Sequence, residues 1–341
     1  MFTVRGAREE DVPALVALAE TAGSAFTSLP PDAAFVSERV DAARRGDAPL
    51  LVMEDPAAPG SRVVGVSGVV RRVGAQEPWY CYRLETRSVR SPALGTTREI
   101  ATLHLETRHH GPSEVGTLLL HPDARGKAAG LGRLLSGSRY LLMRRDPAGF
   151  ADTTLAELRP PCRPDGGNAF WDAIGARYFG PLGMDYTAAD RLSATDKRFI
   201  ADLMPRQPID VCLLSREAQA VIGQVMEETL PAKRMLEAEG FRFADAVDIF
   251  DAGPVFSCPT AEIATSRDAV EAAAEGGGPP ADAEPTHLVA RGRGPFRCVL
   301  AAATLGGGRV RLSGEALAAL DLTLGEPVLA SPRRPGVGLP R

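Results

Sequence analysis

The hydrophobic and polar positions along the chain follow two different periods, which predict strands and helices in a mixed order. Apolar runs and strict alternation predict strands, whereas apolar residues spaced three and four positions apart predict helices. Strands are predicted at residues 2–5, 49–55, 62–70, 78–91, 114–122, 153–159, 209–214 and 241–250. Helices are predicted from residue 11, around 34–40, and at 131–145, 170–179, 190–204, 215–225 and 231–239. Because several strands follow one another without a helix between them, the order predicts an α+β fold rather than a doubly wound sheet.

The pattern changes after Pro259. Residues 267–284 are rich in Gly, Ala and Pro, which predicts a surface loop. Four short strand candidates follow, in THLVARG, FRCVLAA, RVRLSG and EPVLAS. We therefore predict an N-terminal domain over residues 1–260, a loop or linker over 261–285 and a small β-rich C-terminal module over 286–335.

Composition narrows the class of protein. The chain has 341 residues, of which 44% are apolar and 24% charged, as in ordinary globular proteins. A formal net charge of −4 gives no general basis for binding nucleic acid or an anionic membrane. The five cysteines are scattered without a CxxC pair, which argues against a disulfide framework or zinc site. With no signal-peptide core and no apolar run near the roughly 18 residues that span a bilayer, we expect a cytoplasmic protein without nucleic-acid, membrane or metal partners.

A basic, Gly-rich turn joins an apolar strand to an amphipathic helix in TLLLHPDARGKAAGLGR, residues 117–133. Arg125, Gly126, Gly130 and Gly132 crowd the start of the helix. A helix N-terminus presents unpaired N–H groups and a positive dipole end, and glycines let a phosphate approach the backbone. The turn therefore predicts a site for a phosphate group.

Two common phosphate-binding motifs do not fit this turn. A P-loop needs Gly where His121 stands and Ser or Thr after Lys127, and a Rossmann fingerprint needs Gly at Leu135. A basic turn, G-x-G and a helix are similar to the coenzyme A pyrophosphate site of the GCN5-related N-acyltransferases. On this motif alone, a Gly-rich connection without a ligand remains an equal alternative.

Nine blocks, in order along the chain, resemble the arginine N-succinyltransferase family. They are TSLP (27–30), PWYCYR (78–83), TLLLHPD (117–123), LLSGSRYLLM (134–143), FWDAIGARYF (170–179), FIADLMPRQPI (199–209), AQAVIGQV (218–225), EAEGFRF (237–243) and VDIFDAGP (247–254). The resemblance covers residues 1–260 closely and the C-terminal module loosely. It implies a GCN5-related N-acyltransferase fold, with a mixed central sheet flanked by helices. It also implies succinyl-CoA as cosubstrate, no tightly bound cofactor, and the α-amino group of L-arginine, in some relatives ornithine, as acceptor.

The resemblance also implies where succinyl-CoA binds. The family's succinyl-CoA contact falls on Leu118, in a main-chain role that leucine can fill. We expect the donor site to comprise Leu118, Leu119, Leu120, Arg125, Gly126, Gly130 and Gly132. Four residues separate Arg125 from Gly130, where relatives have two, so we expect a longer turn with binding preserved.

Position 226 departs from the family pattern. The resemblance implies that a histidine there donates the proton to the departing thiolate, but this chain has Met226, whose thioether cannot exchange a proton. Glu227 or Glu228 could take the role if burial raises the pKa of the carboxyl group, or water could protonate the thiolate. His110, in the polar stretch ETRHHGPS, is a further candidate because it matches a loop histidine of many relatives.

The departure also leaves the class of function open. The alternatives are a weakened or non-catalytic CoA-binding paralogue that pairs with an active subunit, or an acyltransferase with another amine acceptor. Since some relatives occur as non-identical paired chains, we expect a homo-oligomer or a paired paralogous subunit.

An arginine substrate needs carboxylates for its guanidinium group. Glu157, Asp248 and Asp251 are the candidates, although Asp251 before Ala-Gly-Pro is equally typical of a turn. The aromatic residues of PWYCYR could stack on a guanidinium group, but we expect them to belong to the core.

Overall fold

The computed structural model describes residues 1–22, 28–57, 63–163, 165–193, 196 and 198–334. Over these residues the strands are β1 (Thr3–Gly6), β2 (Leu50–Glu54), β3 (Val63–Val70), β4 (Trp79–Ser91), β5 (Thr96–Arg108), β6 (Ser113–Leu120), β7 (Thr153–Glu157), β8 (Ile209–Asp210), β9 (Arg242–Val247), β10 (Pro254–Pro259), β11 (Val270–Glu275), β12 (His287–Arg291), β13 (Arg297–Ala301), β14 (Thr304–Gly306), β15 (Arg309–Arg311) and β16 (Pro327–Pro332). The helices are α1 (Val12–Glu20), α2 (Ala33–Arg45), α3 (Leu131–Arg145), α4 (Ala169–Ala173), α5 (Gly175–Phe179), α6 (Tyr186–Ser193), α7 (Arg198–Leu203), α8 (Arg216–Val221), α9 (Leu230–Glu239), α10 (Ala264–Arg267) and α11 (Gly314–Leu320).

The strands form one continuous hydrogen-bonded sheet. Its order is β14-β15-β11-β16-β12-β13-β1-β2-β3-β6-β7-β10-β9-β4-β5-β8. Neighbouring strands in the described part of the chain are antiparallel except for β6 with β7 and β11 with β15. The α+β class expected from the sequence is therefore confirmed, with helices on both faces of a mixed sheet.

The helices cover the centre of the sheet from two sides. Leu15 of α1 and Val36 of α2 pack with Val66 of β3 on one face. On the other face Leu134 and Leu135 of α3 pack on β1, β2 and β3. Strand β3 is buried along nearly its whole length, which explains its almost uninterrupted apolar sequence.

A second, aromatic core lies under β4 and β5. Phe170, Trp171 and Phe179 from α4 and α5 pack with Tyr82 and Phe250. The rings meet in stacked and edge-on pairs, with Trp171 stacked on Phe179 at 5.6 Å between ring centroids. Tyr82 is fully buried, which agrees with the core interpretation of PWYCYR for this residue.

Several element predictions are corrected. Residues 209–214 are a strand only at Ile209–Asp210 and then form a 3-10 helix, since Leu213 is 80% exposed and contributes nothing to a core. The helix predicted at 190–204 is two helices, α6 and α7, and the one predicted at 215–225 ends at Val221. Strand β5 went unpredicted, because the outer half of the β4–β5 hairpin is exposed and shows no apolar alternation.

The segment predicted as a loop, residues 261–285, contains α10 and β11. The loop prediction is wrong there, because β11 is half-exposed and its Ala-rich sequence carries no strand period. The four C-terminal strand candidates all contain strands, and α11 lies between the last two. The division into an N-terminal domain, a linker and a C-terminal module stays a prediction.

None of the helices in the described ranges is long and apolar enough to cross a membrane.

Candidate active site

Strands β6 and β7 run parallel but pair only at their beginnings. The paired residues are Ser113 with Thr154 and Glu114 with Leu155. Beyond Glu114 no pairing between the two strands is formed, so they separate and leave a cleft between them. Two cavities, of about 290 and 350 Å³, open onto this cleft. Both are lined by Glu114, Gly116 and Thr117, so the separated strands connect them.

A β-bulge in β6 lies at this junction. The register against β3 shifts between Val66 and Gly68, and Thr117 takes a left-handed φ of 50°. Positive φ in a β-branched residue is strained, and such strain persists where the surroundings enforce it. The bulge turns the backbone of β6 toward the cleft at Gly116 and Thr117.

The main chain of Leu118 faces the cleft. The N–H of His121 donates to the carbonyl of Val64 at 2.8 Å, toward β3. Because successive residues of a strand direct their peptide groups to opposite edges, those of Leu119 face β3 and those of Leu118 and Leu120 face away. Arg125 Nε donates to the Leu120 carbonyl at 3.3 Å from this open side. Leu118 also lines the 290 Å³ cavity, so its peptide groups can bind a ligand there.

The Gly-rich turn follows β6 directly. Arg125 and Gly126 are exposed, and Gly130 precedes α3 with a φ of 93°, a value that favours glycine. A Cβ on Gly132 would meet nothing within 4 Å. At Gly132 no side chain therefore covers the backbone of the first turn of α3. This turn lies at the end of the cleft to which β6 leads.

The 290 Å³ cavity lies between β6, β7, α3 and the start of α9. Arg139 of α3 lines it and is 2% exposed. Arg159 also lines it, and its guanidinium group is 3.3 Å from Asp251 and 3.6 Å from Asp190. Tyr186 donates to Asp251 at 3.2 Å.

Asp251 is part of this buried network with Arg159 and Tyr186. Burial raises its pKa above the ordinary aspartate value, with the negative charge of Asp248 acting in the same direction and Arg159 opposing it. Its other oxygen accepts from the N–H of Gly253 at 2.8 Å, as the turn alternative predicts. Of the three carboxylates considered for a guanidinium group, Asp251 therefore already has a cationic neighbour.

The 350 Å³ cavity, on the α2 side, is acidic and partly aromatic. Four carboxylate residues line it and also line the 290 Å³ cavity: Glu114, Glu157, Asp190 and Asp248. Trp79 and Tyr80 line it as well, and Trp79 Nε1 donates to Glu157 Oε1 at 3.0 Å. Both aromatic residues are at most 5% exposed, so they are core residues with one side toward the cavity. Glu157 and Asp248, two of the candidates for a guanidinium group, thus line the same cavity.

Arg39 of α2 is the cation that lines this acidic cavity. Burial lowers its pKa to about 10, partly offset by the charge of Glu114. Its guanidinium group donates to the carbonyl of Ala48. A positive group beside four carboxylates gives the cavity both signs of charge, which a zwitterionic amino acid can match.

The candidates for proton transfer lie around the cleft rather than on its lining. The N–H of Met226 donates to the Arg159 carbonyl at 2.8 Å, and the Met226 carbonyl accepts from Thr229. Glu227 and Glu228 are exposed on the 3-10 helix that precedes α9, so the burial expected of a proton-donating glutamate is not found for either. From this segment Thr229 lines the 290 Å³ cavity.

His110 lies elsewhere. It is exposed between β5 and β6, with its N–H donating to Gly74 at 3.0 Å. It lines a separate surface depression at the beginnings of β6 and β7, whereas the cleft opens toward their other ends. Across the described ranges no group of three or more His, Cys, Asp or Glu side chains is arranged to hold a metal ion.

Several lining residues escaped the sequence analysis, namely Arg39, Glu114, Arg139, Arg159 and Asp190. For one of them the sequence does contain a signal of a functional role. Arg139 stands four residues after Leu135, on the apolar stripe of α3, and a charged residue on a buried stripe indicates a special role.

Comparison with known proteins shows that nearly the whole chain is similar to one protein family. A family model described as arginine N-succinyltransferase beta subunit matches residues 2–265, and one for the C-terminal domain of that subunit matches residues 270–332. The arginine N-succinyltransferase subunit beta of Pseudomonas aeruginosa is 38% identical over 96% of this chain and 97% of its own length. An Escherichia coli arginine N-succinyltransferase is also 38% identical, over 96% of each chain.

A solved structure is similar over the same extent. Arginine/ornithine succinyltransferase subunit AI from Pseudomonas aeruginosa superposes with a TM-score of 0.85 at 28% identity. The match covers 97% of this chain and 98% of that one.

Proposed function

The chain belongs to the arginine N-succinyltransferase family of acyl-CoA-dependent acyltransferases, and on this premise we propose that it transfers succinyl from succinyl-CoA to the α-amino group of L-arginine or ornithine. The observation that carries the proposal is the cleft between β6 and β7. It connects two cavities that share four carboxylate residues, one beside the open edge of β6 and Arg139 and the other lined by Trp79, Tyr80 and Arg39.

In this proposal, succinyl-CoA binds along β6. The pantetheine arm pairs with the peptide groups of Leu118 and Leu120, and Leu119 holds the strand against β3. The pyrophosphate binds at the first turn of α3, where Gly126, Gly130 and Gly132 leave the backbone accessible and Arg125 adds charge. Succinyl-CoA is a cosubstrate, with no tightly bound cofactor in the proposal.

L-Arginine binds in the acidic cavity. Its guanidinium group pairs with Glu157 and Asp248, its carboxylate lies toward Arg39, and its α-amino group points to the junction at Glu114 and Thr117. Trp79 and Tyr80 form the adjoining apolar wall. The opposite charges of ligand and cavity support this orientation.

The reaction then needs only positioning and proton transfer. The neutral α-amino nitrogen attacks the thioester carbonyl carbon, and backbone N–H groups of the β6 bulge stabilise the oxyanion. The C–S bond breaks, an amide forms, the amine loses a proton and the CoA thiolate gains one. Holding the two substrates together supplies much of the acceleration.

We propose Glu227 or Glu228 as the proton donor, because the next residue, Thr229, lines the cleft. Replacing the donor by Gln lowers kcat by about 100-fold or more, measured by thiol release at saturating substrates. His110→Gln is the matched comparison, and we expect it to leave kcat unchanged, since His110 lies at the other end of β6. If all three variants keep the wild-type kcat, water protonates the thiolate.

The central test of the function is release of free thiol across a panel of acyl-CoAs and amino acids. We expect turnover only when succinyl-CoA and L-arginine or ornithine are both present. Turnover with other amines alone would assign a different acceptor. Binding of CoA without turnover of any pair would indicate a non-catalytic paralogue.

The family model and one relative are named as subunits, so we also propose that the chain assembles with itself or with a paralogous chain. Light scattering on the purified chain distinguishes these cases. A monomer that assembles only when a paralogue is added supports the paired arrangement.

A further inference from the structure

Arg139 is a buried cation in the wall of the cleft. It belongs to α3, lines the 290 Å³ cavity and is 2% exposed. Its Nε donates to the Ser136 carbonyl at 3.1 Å, Nη2 to the Ser136 hydroxyl at 2.7 Å, and Nη1 to the Gly116 carbonyl at 3.3 Å. All three acceptors are neutral, and these bonds engage three of the five N–H donors of the guanidinium group. The group also lies over the ring of Tyr140, with its central carbon 5.6 Å from the ring centroid.

No carboxylate balances the charge of Arg139. Arg139 forms no ion pair among the described residues, although Glu239 acts on its charge from a greater distance and five carboxylate residues line the same cavity. The carboxylate of Glu239 is itself occupied, accepting from the N–H and the hydroxyl of Thr265, both at 2.7 Å. Burial lowers the pKa of Arg139, but a guanidinium group keeps its charge in proteins. A buried charge without a counterion is costly, which indicates an anionic ligand.

The position of Arg139 identifies which anion this is. Its bond to Gly116 puts the guanidinium group beside the β6 bulge, where the thioester binds in the proposed function. In a succinyl group about 4 Å separates the thioester carbon from the carboxylate carbon. The terminal carboxylate of an acyl chain bound at the bulge is therefore within reach of Arg139.

The other two arginines that line the described cavities fit this role less well. Arg159 already lies beside Asp251 and Asp190. Arg39 lines the other cavity beside Glu114, where the amino acid binds in the proposed function. In the proposed function the phosphates of CoA bind at the N-terminal end of α3, by the Gly-rich turn, away from Arg139.

We infer that Arg139 binds the terminal carboxylate of the succinyl group and thereby selects a dicarboxylic acyl-CoA over a monocarboxylic one. The inference rests on the proposed function, because it takes the thioester position from it. A planar guanidinium group can meet a carboxylate with two parallel hydrogen bonds, which a methyl group in the same place cannot accept.

The test compares succinyl-CoA with butyryl-CoA, which has a methyl group in place of the carboxylate. For Arg139→Gln we expect the ratio of kcat/KM for succinyl-CoA to kcat/KM for butyryl-CoA to fall by about 100-fold or more relative to wild type. Because both values come from one preparation, the ratio does not depend on how much of the variant is folded. Arg139→Lys keeps the charge and should recover part of the ratio.

Arg145→Gln is the matched control on the same helix. Arg145 also donates to neutral carbonyls, those of Arg291 and Gly294, but does not line either cavity of the cleft. We expect its ratio to equal that of wild type. An unchanged ratio in Arg139→Gln, or an equal fall in Arg145→Gln, would overturn the inference.

A binding measurement separates this inference from the proposed function. Calorimetry without arginine compares the Kd values of succinyl-CoA and butyryl-CoA for wild type and Arg139→Gln. If wild type turns over neither acyl-CoA, the proposed function fails. A preference for succinyl-CoA in binding that disappears in the variant would still support Arg139 as the carboxylate site, and its persistence would contradict it.

Discussion

Met226 is held by its main chain on the rim of the cleft, between the end of β7 and the start of α9. A proton donor placed there could reach the thiolate side of the cleft. If water rather than Glu227 or Glu228 protonates the thiolate, we expect Met226→His to raise kcat by about 10-fold or more, since a positioned acid or base accelerates proton transfer by about 10²–10⁴-fold. Thiol release at saturating succinyl-CoA and arginine measures the change.

Met226→Leu is the control for this substitution, because it keeps the size and apolar character of the side chain. We expect it to match wild type. Equal rates in the His and Leu variants would mean that position 226 no longer takes part in proton transfer.

Glu157 is the carboxylate that we expect to bind the acceptor's guanidinium group. Glu157→Gln keeps an oxygen that can accept from Trp79 Nε1, the contact seen at 3.0 Å, but removes the charge. Since a hydrogen bond to a charged partner contributes about 1.5–3 kcal/mol, we expect the KM for arginine to rise by roughly 10-fold or more. Steady-state kinetics with each substrate varied in turn measures the effect. A matching rise in the KM for succinyl-CoA would instead indicate a general disturbance of the cleft.

Helix α3 contains two glycines whose surroundings differ, and these give a matched pair of variants. A Cβ at Gly132 meets nothing within 4 Å, whereas one at Gly137 comes 2.7 Å from Leu288. We expect Gly132→Ala to stabilise the fold by about 0.5–1 kcal/mol and to raise the KM for succinyl-CoA severalfold, because it covers the backbone at the phosphate site. Gly137→Ala should lower stability by about 1 kcal/mol through overpacking.

Thermal unfolding and succinyl-CoA kinetics on both variants check this pair. Stability and affinity should change in opposite directions in Gly132→Ala. If Gly132→Ala binds succinyl-CoA as wild type does, the phosphate does not lie against the first turn of α3.

The same elements explain which parts of the structure could be predicted from the sequence. Helix α3 matches its prediction of 131–145 because its apolar stripe is long and regular. The strand prediction for residues 209–214 failed because an apolar run alone does not reveal whether the segment is buried. The cleft was not predictable in detail, since it arises where β6 and β7, separated by a helix, stop pairing. The family resemblance drew attention to Leu118 and Met226, whereas Glu114 emerged only from the packing and the signal of Arg139, a charge on the apolar stripe of α3, was overlooked.

At the scale of the whole molecule, the C-terminal strands support the helix that begins at the Gly-rich turn. Leu288 of β12 and Leu300 of β13 pack with α3 in the same core as Val4 of β1. We expect Leu288→Ala to lower the free energy of unfolding by about 2–4 kcal/mol, the usual cost of such a buried truncation. Urea denaturation followed by circular dichroism measures the loss.

Because this core includes residues on both sides of the predicted domain boundary, we also expect wild type to unfold in one transition. Two separate transitions, with Leu288→Ala shifting only one of them, would show that the C-terminal module is an independent folding unit.

The pairing of β1 with β13 has a consequence for the behaviour of the protein in concentrated solution. Without the C-terminal strands, the four-residue β1 would expose its backbone beside Val4, a ready template for a strand of another molecule. In the described chain this side of the sheet instead ends at β14, of three residues. An end this short offers few hydrogen bonds to an incoming chain, whereas at the other end β8 pairs with only two residues of β5. The C-terminal module therefore protects the β1 side of the sheet against edge-to-edge strand addition, whether or not it contacts a substrate.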